Sequence, residues 1–190
     1  MQYRHIFATA IAVFGTLGSS FAAPQSTSMV NAEQIRNYLK IEKGRPALVA
    51  FMDFQCPSCR KNWPKIKAAL DRHPGTKFYS VDFPLTELHK NAFNAAVAYE
   101  IGRDKPSTYG DLLSDKQSLA PADLNAYLKA HHLPAVVGSD KAAKYEAKVN
   151  DQLRLSKSLH INKTPTVFLV DEKGSLTEVK DFAKLDDRLR

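Results

Sequence analysis

The stretch from Ala47 to Cys59 constrains the chain most. Ala47-Leu48-Val49-Ala50-Phe51-Met52 is apolar throughout, without the alternation of a strand that has one wet face. Such a run fits a strand covered on both sides, in the middle of a sheet with helices above and below it. Directly after it, Phe54-Gln55-Cys56-Pro57-Ser58-Cys59-Arg60 holds the only two cysteines of the 190 residues. Trp63, Ile66 and Leu70 then recur at helical spacing to about Arg72, where His73-Pro74-Gly75 ends the segment. Cys56 therefore falls at a helix start, and Pro57 suits the first helical turn, where its missing N–H loses no bond. Pro64 lies further in and is expected to bend the helix near residue 60. Lys77 to Phe83 reads as a second strand, closed by Pro84. A right-handed crossover would make these strands parallel, with Cys56 at the carboxyl end of the first.

Two cysteines separated by two residues can close a small disulfide ring, donate it to another thiol, or supply half of a metal site. The chain's first residues bear on the choice. Residues 1–22 carry one charge, Arg4, followed by an apolar run from Ile6 to Gly18, with small residues at Ser20 and Ala22. This pattern reads as a cleaved signal peptide, the run being shorter than the roughly 20 residues that span a bilayer. The expectation is an exported protein with no membrane anchor after cleavage, in an oxidising compartment. Residues 23–190 then form a single domain large enough to bury its own core. A disulfide between positions 56 and 59 closes too short a loop to constrain the unfolded chain much, so a working disulfide is favoured over a structural one.

A tetrahedral metal site needs two further ligands. His131 and His132 are adjacent and point different ways on a helix, while His73, His89 and His160 are isolated, so no metal site is expected. The net charge of +7, or +6 without Arg4, is spread over the chain rather than gathered in a stripe with exposed aromatics. That fits a solvated basic surface rather than nucleic-acid binding.

The remaining elements follow from local pattern. Asn31, with Gln34 three residues on, fits the start of a short helix carrying Ile35, Tyr38, Leu39 and Ile41. From about residue 86 to 161 the chain turns helical. Leu88, Ala92, Ala95, Ala96 and Tyr99 mark one helix, Pro121 to Leu128 a second, and Ala142 to Leu159 a third. That is more than a crossover requires and predicts an inserted helical subdomain over one end of the sheet. Thr164-Pro165 precedes a strand, Thr166 to Val170, and Asp171 to Gly174 turns it into a weaker strand at Leu176 to Val179. Asp181 to Arg190 reads as a short closing helix. Neither an internal repeat nor a low-complexity segment occurs.

The cysteine pair at a strand-to-helix junction, Pro64 five residues after Cys59, and Thr164-Pro165 before a late strand together resemble the thioredoxin superfamily. Phe51 to Cys59, then Phe83-Pro84-Leu85 with His89 and the alanine-rich Ala92 to Ala98, then Thr164-Pro165-Thr166, resemble its DsbA-type exported branch. The resemblance implies an α/β thioredoxin-like fold with a helical insertion, and thiol:disulfide oxidoreductase activity in the periplasm without a dissociable cofactor. It implies that Cys56 is the exposed nucleophile and Cys59 the resolving cysteine, with Pro57 and Ser58 tuning the redox potential. Pro165 matches the family's cis-proline, and Thr164 the residue whose backbone pairs with a bound peptide. Protein thiols or disulfides would be the substrates and a membrane protein the redox partner. Ser58 stands where the strongest oxidases have histidine, Ala50 where many relatives bury an acid, and Lys163 where glycine is usual.

The chemistry is consistent with this. A helix amino end stabilises a thiolate at Cys56, and a lower pKa there favours the reduced form, making the oxidised protein a disulfide donor. Without an intervening histidine the effect should be moderate, with Arg60 or Lys61 adding partial help. Water, Asp53 or another group would carry the proton, while Asp53 serves equally well as a plain strand-end residue. A reductase or isomerase on the same scaffold, and a non-catalytic binding module, are the alternatives to a disulfide-introducing enzyme.

Overall fold

The computed structural model describes residues 27–114 and 118–189. The expected signal peptide lies outside the described residues. The chain begins with α1 (Thr27–Leu39), then β1 (Ala47–Met52), α2 (Pro57–Arg72) and β2 (Lys77–Asp82). Four helices follow, α3 (Ala92–Gly102), α4 (Pro106–Leu113), α5 (Pro121–Ala130) and α6 (Ala143–Ser158). Then come β3 (Thr166–Val170), β4 (Leu176–Glu178) and α7 (Leu185–Arg188). The sheet order is β2-β1-β3-β4, with β1 parallel to β2 and antiparallel to β3, and β3 antiparallel to β4. This is an α/β thioredoxin-like fold.

All six residues of β1 are buried because its two faces meet separate apolar clusters. Leu48, Ala50 and Met52 pack with Cys59, Ile66, Ala95, Ala96 and Leu112, whereas Val49 and Phe51 pack with Ile35, Val81, Leu155 and Leu159. The unbroken apolar run is thus the signature of a strand with no wet face. Burying large aliphatic and aromatic side chains on both sides contributes about 1.5–3 kcal/mol each, which ties the Cys56 junction to the best-packed part of the molecule.

Two local expectations need correction, and one helix is new. The first helix starts at Thr27, so Asn31 lies within it rather than at its start. Nothing from Thr27 to Val30 is glycine or proline, and the helix propagates backward. Leu88 is not on the third helix: α3 starts at Ala92 and Leu88 is 75% exposed. The N–H groups of Leu88 and His89 both bond Leu85 O, making one isolated turn, while Leu85 N is drawn onto Asp53 Oδ2. The apparent Leu88-to-Ala92 periodicity therefore spans a loop. Finally, α4 has no counterpart in the sequence reading. It packs so closely on α3 that a Cβ at Gly102 would sit 2.8 Å from the Thr108 side chain.

Candidate functional site

Cys56 occupies the residue before the first turn of α2, in extended conformation (φ −68°, ψ 121°), with Pro57 next in the helix. An extended residue feeding a helix turns its side chain toward the unpaired N–H groups of that turn, here those of Ser58 and Cys59. One helical turn later Cys59 points inward, fully buried, while Cys56 is 7% exposed. Both are free thiols. Pro57 and Ser58 lie exposed between them, and Ser58 O accepts from Asn62 Nδ2 at 2.9 Å.

The loop before β3 closes the site from the other side. Thr164-Pro165 is cis, and Cys56 Sγ lies 3.5 Å from Thr164 O, a contact to which only the protonated thiol can donate. Thr164 and Pro165, separated from the cysteines by more than a hundred residues, thus come beside Cys56, so the six residues singled out by the sequence form one cluster. Lys163 turns outward to Glu178 Oε1 at 3.4 Å. Arg60 donates from Nε to Phe54 O at 2.8 Å, bracing the loop that carries Cys56.

The two thiols are driven in opposite directions. Cys56 is pulled down to about 5, chiefly because the Cys59 thiol hydrogen-bonds to its sulfur, against the cost of burial. The Thr164 side chain and the Cys59 and Ser58 N–H groups add to the stabilisation. Cys59 is pushed up by that same hydrogen bond and then by burial, partly offset by the Asp53 backbone N–H. One sulfur thus carries negative charge near neutrality while the other retains its proton.

Sequence reasoning left the role of Asp53 open and gave His89 none; in the fold they meet. Asp53 is 1% exposed. Its N–H donates to Cys59 Sγ at 3.5 Å, and its Oδ1 accepts from Gln55 N at 2.7 Å. Oδ2 accepts from Leu85 N at 2.9 Å and pairs with His89 Nδ1 at 2.8 Å. A further bond, Asn91 N to Gln55 Oε1 at 2.8 Å, stitches the cysteine loop to residues 85–91. No sequence spacing foretells these contacts, because they join loops at the ends of different strands.

Ala50 leaves the floor beneath the cysteines apolar, and the buried acids lie elsewhere. Asp82, at the end of β2, and Glu100, on α3, share Arg103 and Gln152. Burial drives the Asp82 carboxyl well above its usual range. Glu100 is held low despite burial, through its hydrogen bonds with Arg103. Asp82 Oδ1 is buried without a partner. A carboxyl raised by folding stabilises the protein below its unfolded value, and that contribution is lost as pH climbs through the folded one. Asp82→Asn should therefore melt higher than the parent at pH 7.5, by about 1–2 kcal/mol, with the gap narrowing toward pH 4.5. Thermal melts across that range check it; a gap independent of pH would contradict this reading of Asp82.

Among the described residues there is no group of three or more His, Cys, Asp or Glu arranged to hold a metal ion. His73 instead meets Asp186 at 3.0 Å, and His131 stacks on Tyr127. No helix among the described residues is long and apolar enough to cross a membrane.

Comparison with known proteins follows the same lines. The sequence model of the thioredoxin family matches residues 42–187. The catalytic domain of Proteus mirabilis ScsC superposes with a TM-score of 0.63 at 16% identity, covering 86% of this chain and 96% of that one. The thiol-disulfide exchange protein α-DsbA2 from Wolbachia pipientis does so with a TM-score of 0.61 at 19% identity, covering 87% and 97%. At these identities the likeness carries the fold. The Na(+)/H(+) antiporter NhaA 3 of Salinispora tropica is 28% identical over 103 residues, 52% of this chain. The match spans only 16% of that antiporter's length.

Proposed function

The chain belongs to the thioredoxin family, and on that premise we propose that it is a thiol:disulfide oxidoreductase that introduces disulfides into exported proteins through Cys56-Pro57-Ser58-Cys59. The observation that carries this reading is the placement of the two sulfurs, Cys56 at the start of α2 with Thr164 O 3.5 Å away and Cys59 one turn on and fully buried, which drives the two thiols in opposite directions. In the oxidised enzyme a substrate thiolate attacks Cys56 Sγ, the 56–59 bond breaks, and Cys59 leaves as a thiolate that takes up a proton. A second substrate thiolate then attacks its own sulfur in the mixed disulfide. A substrate disulfide forms and Cys56 departs as a thiolate. The substrate dithiol is oxidised by two electrons and the enzyme disulfide reduced by two. A leaving thiol with a low pKa departs fastest, and Cys56 is that thiol.

Pro57 and Ser58 are the redox-tuning pair, and the Thr164 backbone beside Pro165 receives the substrate peptide next to Cys56. The apolar leader at residues 1–22 supports export to the periplasm, where a membrane protein would reoxidise Cys56 and Cys59. The deciding measurement is the reduction potential in a glutathione redox buffer. A value of about −120 mV supports disulfide introduction, and one of about −270 mV a reductase. A protein whose function survives replacement of both cysteines by serine would be a binding module instead.

A further inference from the structure

We infer that the Asp53 carboxylate and His89 act as a positioning pair that holds the Asp53 N–H on the Cys59 sulfur, and thereby sets the rate at which Cys59 resolves a mixed disulfide. The inference rests on the oxidoreductase reading and deepens it. Cys59 is fully buried, and its thiolate needs a donor that is already in place. The Asp53 N–H is such a donor, at 3.5 Å. Its direction depends on residues 53–55, whose conformation is fastened by the carboxylate: Oδ1 grips Gln55 N, and Oδ2 grips Leu85 N and His89 Nδ1. Among the described residues His89 is the one side-chain partner of that carboxylate, and it is 19% exposed, so it can be changed without opening the core.

The relevant step is written for the adduct of reduced protein with glutathione disulfide. Cys59 loses its proton to water and attacks Cys56 Sγ. The 56–59 bond forms, the bond from Cys56 to the glutathione sulfur breaks, and glutathione leaves as a thiolate that is protonated in solution. The protein cysteines are oxidised to a disulfide as the glutathione sulfur is reduced.

The experiment follows that step in single turnover by acid quench and mass analysis, with Cys56 alkylation measured alongside. His89→Ala is expected to slow glutathione release about tenfold while Cys56 alkylation stays at the wild-type rate. His89→Asn, which restores a donor near the Nδ1 position, should return release to within about threefold of wild type. Asp53→Asn, which replaces one acceptor oxygen by a donor, should behave like His89→Ala if it folds. Release from His89→Ala at the wild-type rate, or from His89→Asn as slow as from His89→Ala, overturns the positioning role. A wild-type protein that forms neither a glutathione adduct at Cys56 nor the 56–59 disulfide overturns the oxidoreductase reading itself, and is seen before any variant is compared.

Discussion

Cys59→Ser protein will retain its partners covalently, as adducts through Cys56 that survive denaturation and vanish on reduction. The expectation follows from division of labour between the two sulfurs. Cys56 lies at the helix start, where the N–H groups of residues 58 and 59 and the Thr164 side chain still favour its thiolate without the Cys59 thiol, so it engages a partner disulfide at neutral pH. Escape from the mixed disulfide requires a second thiolate close to Cys56 Sγ, and Cys59, one turn along α2, is placed to supply it. Serine cannot form a disulfide, so only external thiols remain to break the adduct. Its lifetime should lengthen on the order of 100-fold or more in thiol-free buffer. Cys56→Ser should trap little, because Cys59 is fully buried and keeps its proton. Affinity capture from an exported-protein extract, resolved with and without reductant, checks both. Equal trapping by the two variants would reverse the assignment of nucleophile and resolving cysteine.

Much of this arrangement was legible in the sequence because it is written in local pattern. The run from Ala47 to Met52 names a strand with two dry faces, and Pro57 after Cys56 names the helix start. Thr164 and Pro165 were tied to the cysteines only through a family resemblance, and nothing in their neighbours' chemistry places them at Cys56. What escaped has a common cause. The Asp53–His89 pair, the approach of Asp82 to Arg103, and the bond from Leu85 N to Asp53 that fixes the turn at Leu88 each join segments 21 to 36 residues apart in the chain. Leu88 misled because leucine and alanine four apart mimic a helix face, whereas Asp53 captures Leu85 N and His89 and halts the helix before it begins. Arg60, which with Lys61 offers the thiolate partial electrostatic help, also braces the loop through Phe54 O at 2.8 Å, a contact that no spacing foretells.

Reduced Cys56 should alkylate with a half-maximal rate near pH 5 and a plateau through neutrality, where an ordinary thiol is still rising toward pH 8.5. At pH 6 its thiolate fraction exceeds that of an ordinary cysteine by roughly 300-fold, but a weakly basic thiolate is intrinsically less nucleophilic, so the net advantage is about tenfold. Cys59→Ala should move the midpoint upward, since the Cys59 thiol is the largest stabiliser of the Cys56 anion. The same shift governs stability. A thiol lowered by folding stabilises the reduced protein above its unfolded value, and the contribution is lost as pH falls through about 5. The oxidised protein has no thiol to ionise. Reduced protein should accordingly gain on oxidised protein in thermal melts as pH rises from 5 toward 8.5. The redox couple carries the same proton count. Below pH 5 reduction takes up two protons and the potential falls about 60 mV per pH unit, whereas between pH 6 and 8 only Cys59 is protonated and the slope halves to about 30 mV. A slope of about 60 mV persisting through pH 7 would mean that Cys56 keeps its proton there, and the preference for donating disulfides would lose its physical basis.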